Sequence, residues 1–305
     1  MSYADSLADL DDIQDGSSPN VVYHYTTAAG LQGILTNGAI WATDLLYLND
    51  SAELEYVFSF LTDLAELRAL AEGTHGTTRV VESKVAHIVD RLTRTYIEKA
   101  RIYVACFCRK GNLLSQWRGY AGGTGGFSIG LRWNDLRLAH PQSRFGQNWD
   151  FDPIVYDRAA QKAQVQDILR PLLLGALEKW VPSAPEEQAL TLSAELLGAS
   201  LLQVGRIGPT FKSPAFAEEQ EWRAIRRTDE GQPEPVKFRT AAVGLTPYVE
   251  LDIKDPSNGK LLINEIWIGP SPDQHLAKRA VGTLLQQVGF AKGEVPIHRS
   301  DTSLR

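Results

Sequence analysis

The chain has 305 residues, 43% of them hydrophobic and 22% charged, a composition that supports a globular core and excludes a wholly disordered polypeptide. Its formal net charge of −6 argues against a protein that coats nucleic acid through bulk electrostatics, while the short basic stretch "EWRAIRR" leaves room for a local contact. No stretch approaches the roughly 18 apolar residues of a membrane helix, and with only two cysteines, Cys106 and Cys108, a disulfide framework is excluded.

Residues 1–20 are acidic and polar and read as a flexible N-terminus. They lack the basic start and apolar centre of a signal peptide, so a cytoplasmic protein is expected. "NVVYHY" reads as a short strand rich in β-branched and aromatic residues. Thr26 or Thr27 then offers an N-cap to a helix carrying Leu31, Ile34 and Leu35 on one side, which Asn37-Gly38 terminates. "AIWAT" resumes an extended segment. Apolar residues from Ser51 to Ala71 keep a helical period, and "VVESKVAHIVDRLTRTYIEKA" predicts a further helix. "RIYVACFC" is the clearest buried strand and "GGFSIGLRW" the next, joined by a loop, "LLSQWRGYAGGTG". A long helical stretch spans about 157–205. Extended pieces follow in "EEQEWRAIRR", "AAVGLTPYVELDI" and "LLINEIWIG", then a helix over about 272–289 and a last strand, "EVPIHRS". Strands and helices mix without regular alternation, which predicts an α+β fold. One domain over 21–305, with a helical insertion at about 157–205, is expected.

The six histidines show no pair at zinc-ligand spacing, and Cys106-Phe107-Cys108 has no second cysteine pair, so no metal site is expected. Serine-nucleophile elbows, Walker loops and dinucleotide-binding glycine fingerprints are absent from the sequence. "GGTGG" at 122–126 reads as a turn. In "YLNDSAELEY", Asp50 and Glu53 fit a helix capping box. On a strand through "EEQEWRAIRR", Glu219, Glu221 and Arg223 would share one face, with the arginine compensating two carboxylates that otherwise raise each other's proton affinity. Trp117, Arg118 and Tyr120 in "SQWRGYAGG" read either as a ligand shelf or as cover for the core.

The stretches "YHYTT..GLQGIL..G.IWAT...LND..E", "ACFC....LLSQWRGYA...GGFSIGL", "F.EEQEWR" and "EIWIGP" resemble a bacterial domain-of-unknown-function family, number 2971, over nearly the whole chain. A strand ending in His-Tyr and followed by "GLQGIL..G" is more distantly similar to the first motif of the ADP-ribosyltransferases, including the DNA-modifying toxins, and of the RNA 2′-phosphotransferases. That second resemblance implies a split, mixed or antiparallel β-sheet core with helical insertions, and NAD as substrate. It implies that His24 hydrogen-bonds a ribose of NAD, with Tyr25 and Thr26 beside it, and that Glu221 or Glu219 acts at the ribose next to nicotinamide. Tyr120 or Ser128 would stand near nicotinamide, and Trp117 and Arg223 complete the expected NAD-binding set.

Cleaving the nicotinamide bond develops positive charge on the ribose, and a fixed carboxylate stabilises that charge as it forms. The helix N-terminus after His24 would offer N–H groups to a pyrophosphate, and the second glutamate is a candidate base. The expected function is therefore transfer of ADP-ribose to a protein or nucleic-acid acceptor, as a toxin or anti-phage effector, with an antitoxin or inhibitor protein as a further partner. The alternatives are a catalytically inactive nucleotide-binding sensor or protein-interaction module on the same scaffold, and an RNA-end phosphotransferase. The shortage of basic residues weighs against the last.

Overall fold

The computed structural model describes residues 19–48, 56, 101–120, 125–140, 149–179, 204–228, 235–241 and 244–302. The predicted helices at 51–71 and 80–100, the capping box at Asp50 and Glu53, the acidic start before residue 19, residues 122–124 of the glycine-rich turn and residues 180–203 of the helical insertion lie outside them.

The described residues form a mixed α and β structure around one ten-stranded sheet. β1 (Val21–Thr26) leads into α1 (Ala28–Asn37) and β2 (Ala39–Asp44), followed later by β3 (Arg101–Cys108), α2 (Leu114–Tyr120), β4 (Phe127–Arg132) and α3 (Trp133–Ala139). β5 (Trp149–Pro153) and the long α4 (Arg158–Lys179) precede β6 (Glu221–Thr228), β7 (Lys237–Ala241), β8 (Gly244–Asp252), β9 (Ile263–Ile268), α5 (Gln274–Gln287) and β10 (Ile297–Arg299). Pairing is antiparallel except between β9 and β10.

β3 is the strand on which the sheet divides. One edge pairs with β6 along its whole length, from Arg101↔Thr228 to Cys108↔Glu221. The other edge meets β1 only at Tyr23↔Cys108 and β2 only at Thr43↔Val104 and Asp44↔Tyr103. β1 then departs with β4, β9 and β10, while β2 departs with β8 and β7. Thr27 caps α1 by accepting from the Gly30 N–H at 3.2 Å, and Gly38 ends the helix at φ 71°, a left-handed conformation that glycine adopts without steric cost.

Side-chain alternation gives the sheet two unlike faces. One carries the main core: Val22, Phe107, Ile129, Ala224 and Leu251, covered by Leu31 and Leu35 of α1 and by Val281 and Leu285 of α5. At its centre Trp133 is fully buried, with edge-on rings from Phe107, Phe151 and Trp222 at 5.9, 5.1 and 5.2 Å. Such pairs each add about 0.5–1.5 kcal/mol beyond burial of their area. The opposite face carries Tyr23, Tyr25, Cys106, Cys108, Ser128, Glu221 and Arg223, and α2 covers part of it through Trp117, which packs on Tyr25 at 4.6 Å.

One reading from sequence is revised, and two strands that it does not pick out are added. "SQWRGYAGG" is not a loop up to Tyr120 but the helix α2, which its buried Trp117 anchors. The extended stretch "AAVGLTPYVELDI" holds β8, and β7, which ends at its first residue and is not read from sequence, pairs with it antiparallel. "WDFDP", with its Trp149 and Phe151 at strand spacing, is β5, which the apolar count of so short a stretch concealed.

On the second face the ring of Tyr23 lies so close to Gly111 that a Cβ there would stand 2.5 Å from Tyr23 Cε1 and 2.8 Å from Trp267 Cδ1. Replacing Gly111 with alanine is expected to cost about 1–3 kcal/mol through overpacking, read by denaturant unfolding; an unchanged midpoint would show that the Tyr23 ring can move aside.

Candidate functional site

Glu219 and Glu221 do meet, though not by the route that strand alternation suggests. β6 begins at Glu221; Glu219 is the last residue of a 3-10 turn, Pro214–Glu219, opened by Ser213, whose hydroxyl accepts from the Ala215 N–H. Gln220 between them adopts φ 45°, ψ 50°. It is the lone non-glycine residue at positive φ among the described residues, a conformation that carries strain and is over-represented where function constrains the backbone. This kink replaces the extended geometry expected at Glu219, and convergence is restored by a residue that the sequence did not single out. Lys212 Nζ lies 2.6 Å from Glu219 Oε2 and 3.0 Å from Glu221 Oε2.

Arg223, two residues along β6 on the same face, completes the cluster. Its Nε donates to Glu221 Oε1 at 2.6 Å, its Nη2 to Oε2 at 3.2 Å, and its Nη1 to the Pro209 carbonyl at 2.8 Å. The Tyr156 hydroxyl accepts from the Glu221 N–H at 2.9 Å. The stretch from Pro209 to Lys212 is held beside β5 by Val155, whose N–H donates to the Thr210 carbonyl and whose carbonyl accepts from the Lys212 N–H. The buried Gln161 of α4 ties the same two strands by donating to the Val155 and Lys212 carbonyls.

The two carboxylates end up unlike each other. Burial alone would raise the Glu221 pKa, but Arg223 and Lys212 outweigh it and bring it down to about 2. Glu221 is thus a fixed anion at any physiological pH. Glu219 is raised instead, because burial outweighs the help it takes from Lys212, and Glu221 adds repulsion. Its side chain keeps 18% of its exposure against 6% for Glu221, and it adjoins Tyr120, which is 41% exposed. The cluster therefore offers one permanent charge inside and one more basic carboxylate at the surface. Cys108, on the same face, is pushed up to about 12 by burial and is no nucleophile at neutral pH.

Of the other expected residues, Tyr25, Trp117, Ser128 and Arg223 lie on the face of Glu221, but only Tyr120 among the aromatic rings is well exposed. Trp117 and Ser128 are fully buried, and the Tyr25 hydroxyl is occupied, donating to the Lys110 carbonyl and accepting from the Leu113 N–H. His24 and Thr26 leave β1 on the opposite face, where the His24 ring meets Phe107 edge-on at 5.9 Å. His24 Nδ1 donates to the Cys106 carbonyl at 3.0 Å, on the stretch of β3 between its pairings with β1 and β2. Burial lowers the His24 pKa, so the ring is neutral, and with Nδ1 carrying the proton its Nε2 is an acceptor.

Among the described residues no group of three or more histidines, cysteines, aspartates or glutamates is placed to hold a metal ion, and no helix is long and apolar enough to cross a membrane. A family model described as a protein of unknown function (DUF2971) matches residues 116–224. The match runs from α2 to the middle of β6; it takes in Tyr120, Lys212, Glu219, Glu221 and Arg223 and leaves out β1 with His24. No curated protein and no solved structure matches the chain.

Replacing Arg223 with methionine leaves Glu221 buried with Lys212 alone and is expected to cost about 3–5 kcal/mol, measured by urea unfolding at neutral pH. The pH dependence follows from the depressed Glu221 pKa. Its contribution is full above the unfolded value of 4.5 and is lost as pH falls from there toward 2. A Glu221→Gln protein is expected to lack that segment of the acid titration of stability; the same slope in both proteins would contradict the assignment.

Proposed function

We propose that the chain is an ADP-ribosyltransferase-like enzyme that takes NAD as substrate and passes ADP-ribose to a macromolecular acceptor. The observation that carries the reading is the pair of carboxylates held by one lysine, the inner one permanently charged and the outer one more basic and accessible. The sheet that divides at β3, with β1 and β6 on its two edges, also supports it.

In this reading the carbon–nitrogen bond between ribose and nicotinamide breaks, and its electron pair leaves on nicotinamide. The ribose carbon left electron-poor is stabilised by the Glu221 carboxylate, which Arg223 and Lys212 hold in one position before the reaction starts, so no reorganisation is needed as charge develops. The acceptor nucleophile then attacks that carbon and its proton passes to Glu219, whose raised pKa suits it to the task. Tyr120 supplies the exposed ring beside Glu219 on which a planar group can rest. His24 positions β1 against β3 through the Cys106 carbonyl, from the face away from the two glutamates. The surroundings of NAD during transfer are expected to be cytoplasmic, and an inhibitor protein would be a natural partner of such an activity.

One observation favours a second reading. Every oxygen of Glu221 is already occupied by Arg223 or Lys212, which suits a nucleotide-binding sensor or interaction module that keeps the scaffold without turnover.

Incubating the folded protein with NAD labelled in the adenylate half and with cell extract separates the two. The enzyme reading expects label transfer with release of nicotinamide, lowered roughly 10²-fold or more in Glu221→Gln and less in Glu219→Gln. NAD binding by calorimetry that Glu221→Gln leaves unchanged, with no nicotinamide released, would favour the sensor and overturn the enzyme.

A further inference from the structure

A second polar site lies on the same face of the sheet, beyond the stretch at 206–210, and unlike the glutamate cluster it leaves a carboxylate, Asp152, without a hydrogen-bond partner among the described residues. It is a cleft of about 510 Å³ between β5, the end of β6, α4 and that stretch. Asp150 and Asp152 of β5 face the cleft two residues apart, and Asp152 stands directly across from Arg223 in the sheet register. Asp150 is engaged by Arg227, which also donates to the Arg206 carbonyl. Asp152 has no hydrogen-bond partner among the described residues. Burial raises its pKa, and Asp150 raises it further. Arg206 and Gln164 also line the cleft, with no side-chain hydrogen bond of either among the described residues, and Pro153, Val155 and Ile207 supply an apolar wall.

A half-buried carboxylate without a donor is costly unless something supplies one. At the glutamate cluster the buried carboxylate is bonded directly by cations, Arg223 and Lys212. Asp152 is bonded by no cation among the described residues: Arg227 and Arg137 act on it only through space, and Arg206 lines the same cleft. The geometry points to a nucleotide-binding site in this cleft, for a ligand with a ribose diol, a phosphate and a planar base. Vicinal hydroxyls donate in pairs to a carboxylate, which fits Asp152. A free guanidinium binds phosphate bidentately, which fits Arg206. The amide of Gln164, both donor and acceptor, can read a base edge against the apolar wall. An amino-acid zwitterion would also satisfy one carboxylate and one guanidinium, but the volume is within the range of nucleotide-sized pockets and well above what a single amino acid fills. The inference goes beyond the function proposed above and does not rest on it.

The test is calorimetric titration of the full chain with adenosine 5′-monophosphate, and in parallel with free arginine and free glycine. Saturable binding of the nucleotide and none of the amino acids is expected, weakened about ten- to a hundredfold by Asp152→Asn and by Arg206→Ala and unchanged by Glu219→Gln. Arg206 is exposed, so its truncation leaves the fold intact, and Asp152→Asn is expected to hold or raise the thermal midpoint, as when a binding group is traded for stability. The absence of nucleotide binding in the millimolar range would overturn the inference. So would binding that neither cleft variant alters, binding lost instead with Glu219→Gln, which would put the nucleotide at the glutamate cluster, or binding of the amino acids in its place. A lack of NAD turnover would count against the proposed function alone.

Discussion

A carboxylate taken out of water must find its charge answered, and Glu221 is buried where β6 starts. Arg223 answers it from two residues along the same strand, and Lys212 from the segment that runs beside β5. The rest of this end of the molecule is built to bring those two cations in. Arg223 reaches Pro209, so the turn at 208–210 is drawn over the strand; Lys212 reaches Glu219, so the 3-10 turn closes back on the strand it has just left. Gln220 takes its left-handed conformation at that junction, and the strain is held there by four charged side chains that converge around it. Structure and chemistry coincide in this cluster, because the charges that make Glu221 tolerable also fix it as an anion and leave the more basic Glu219 outside.

The sheet supplies the second constraint. β3 is shared between two half-sheets, and its free edge is only partly covered by β1 and β2. His24 spans part of that interval by donating to the Cys106 carbonyl, which joins the histidine to the strand paired with Glu221 without bringing the two side chains to one face. A ring held by a backbone carbonyl in this way is structural work: it fixes β1 against β3.

Much of this was legible in the sequence, for identifiable reasons. β1, α1 and the stop at Gly38 follow from apolar periodicity and turn chemistry, and β3 from a continuous run of β-branched and aromatic residues. The pairing of Glu221 with Arg223 followed from period two. What failed was the assumption that the strand extends back through Glu219, since nothing in "FAEEQEW" announces a left-handed glutamine. Lys212 was invisible for a related cause: its role comes from a long-range pairing with Val155, and the surrounding "GPTFKSPAF" has no motif. The Asp152 cleft was missed because β5 is short, although the alternation of Trp149 and Phe151 with Asp150 and Asp152 is the signal that would have found it.

The proposed catalysis thus stands on one face of one sheet, with Glu221 set to stabilise the ribose and Glu219 to take the proton. A crystal structure of the protein with a non-hydrolysable NAD analogue tests this most directly. The expected result is the nicotinamide-side ribose against Glu221 and Glu219 beside Tyr120, with Glu221 still held by Arg223 and Lys212. An analogue bound with that ribose on the core side of β1, away from both glutamates, would contradict it.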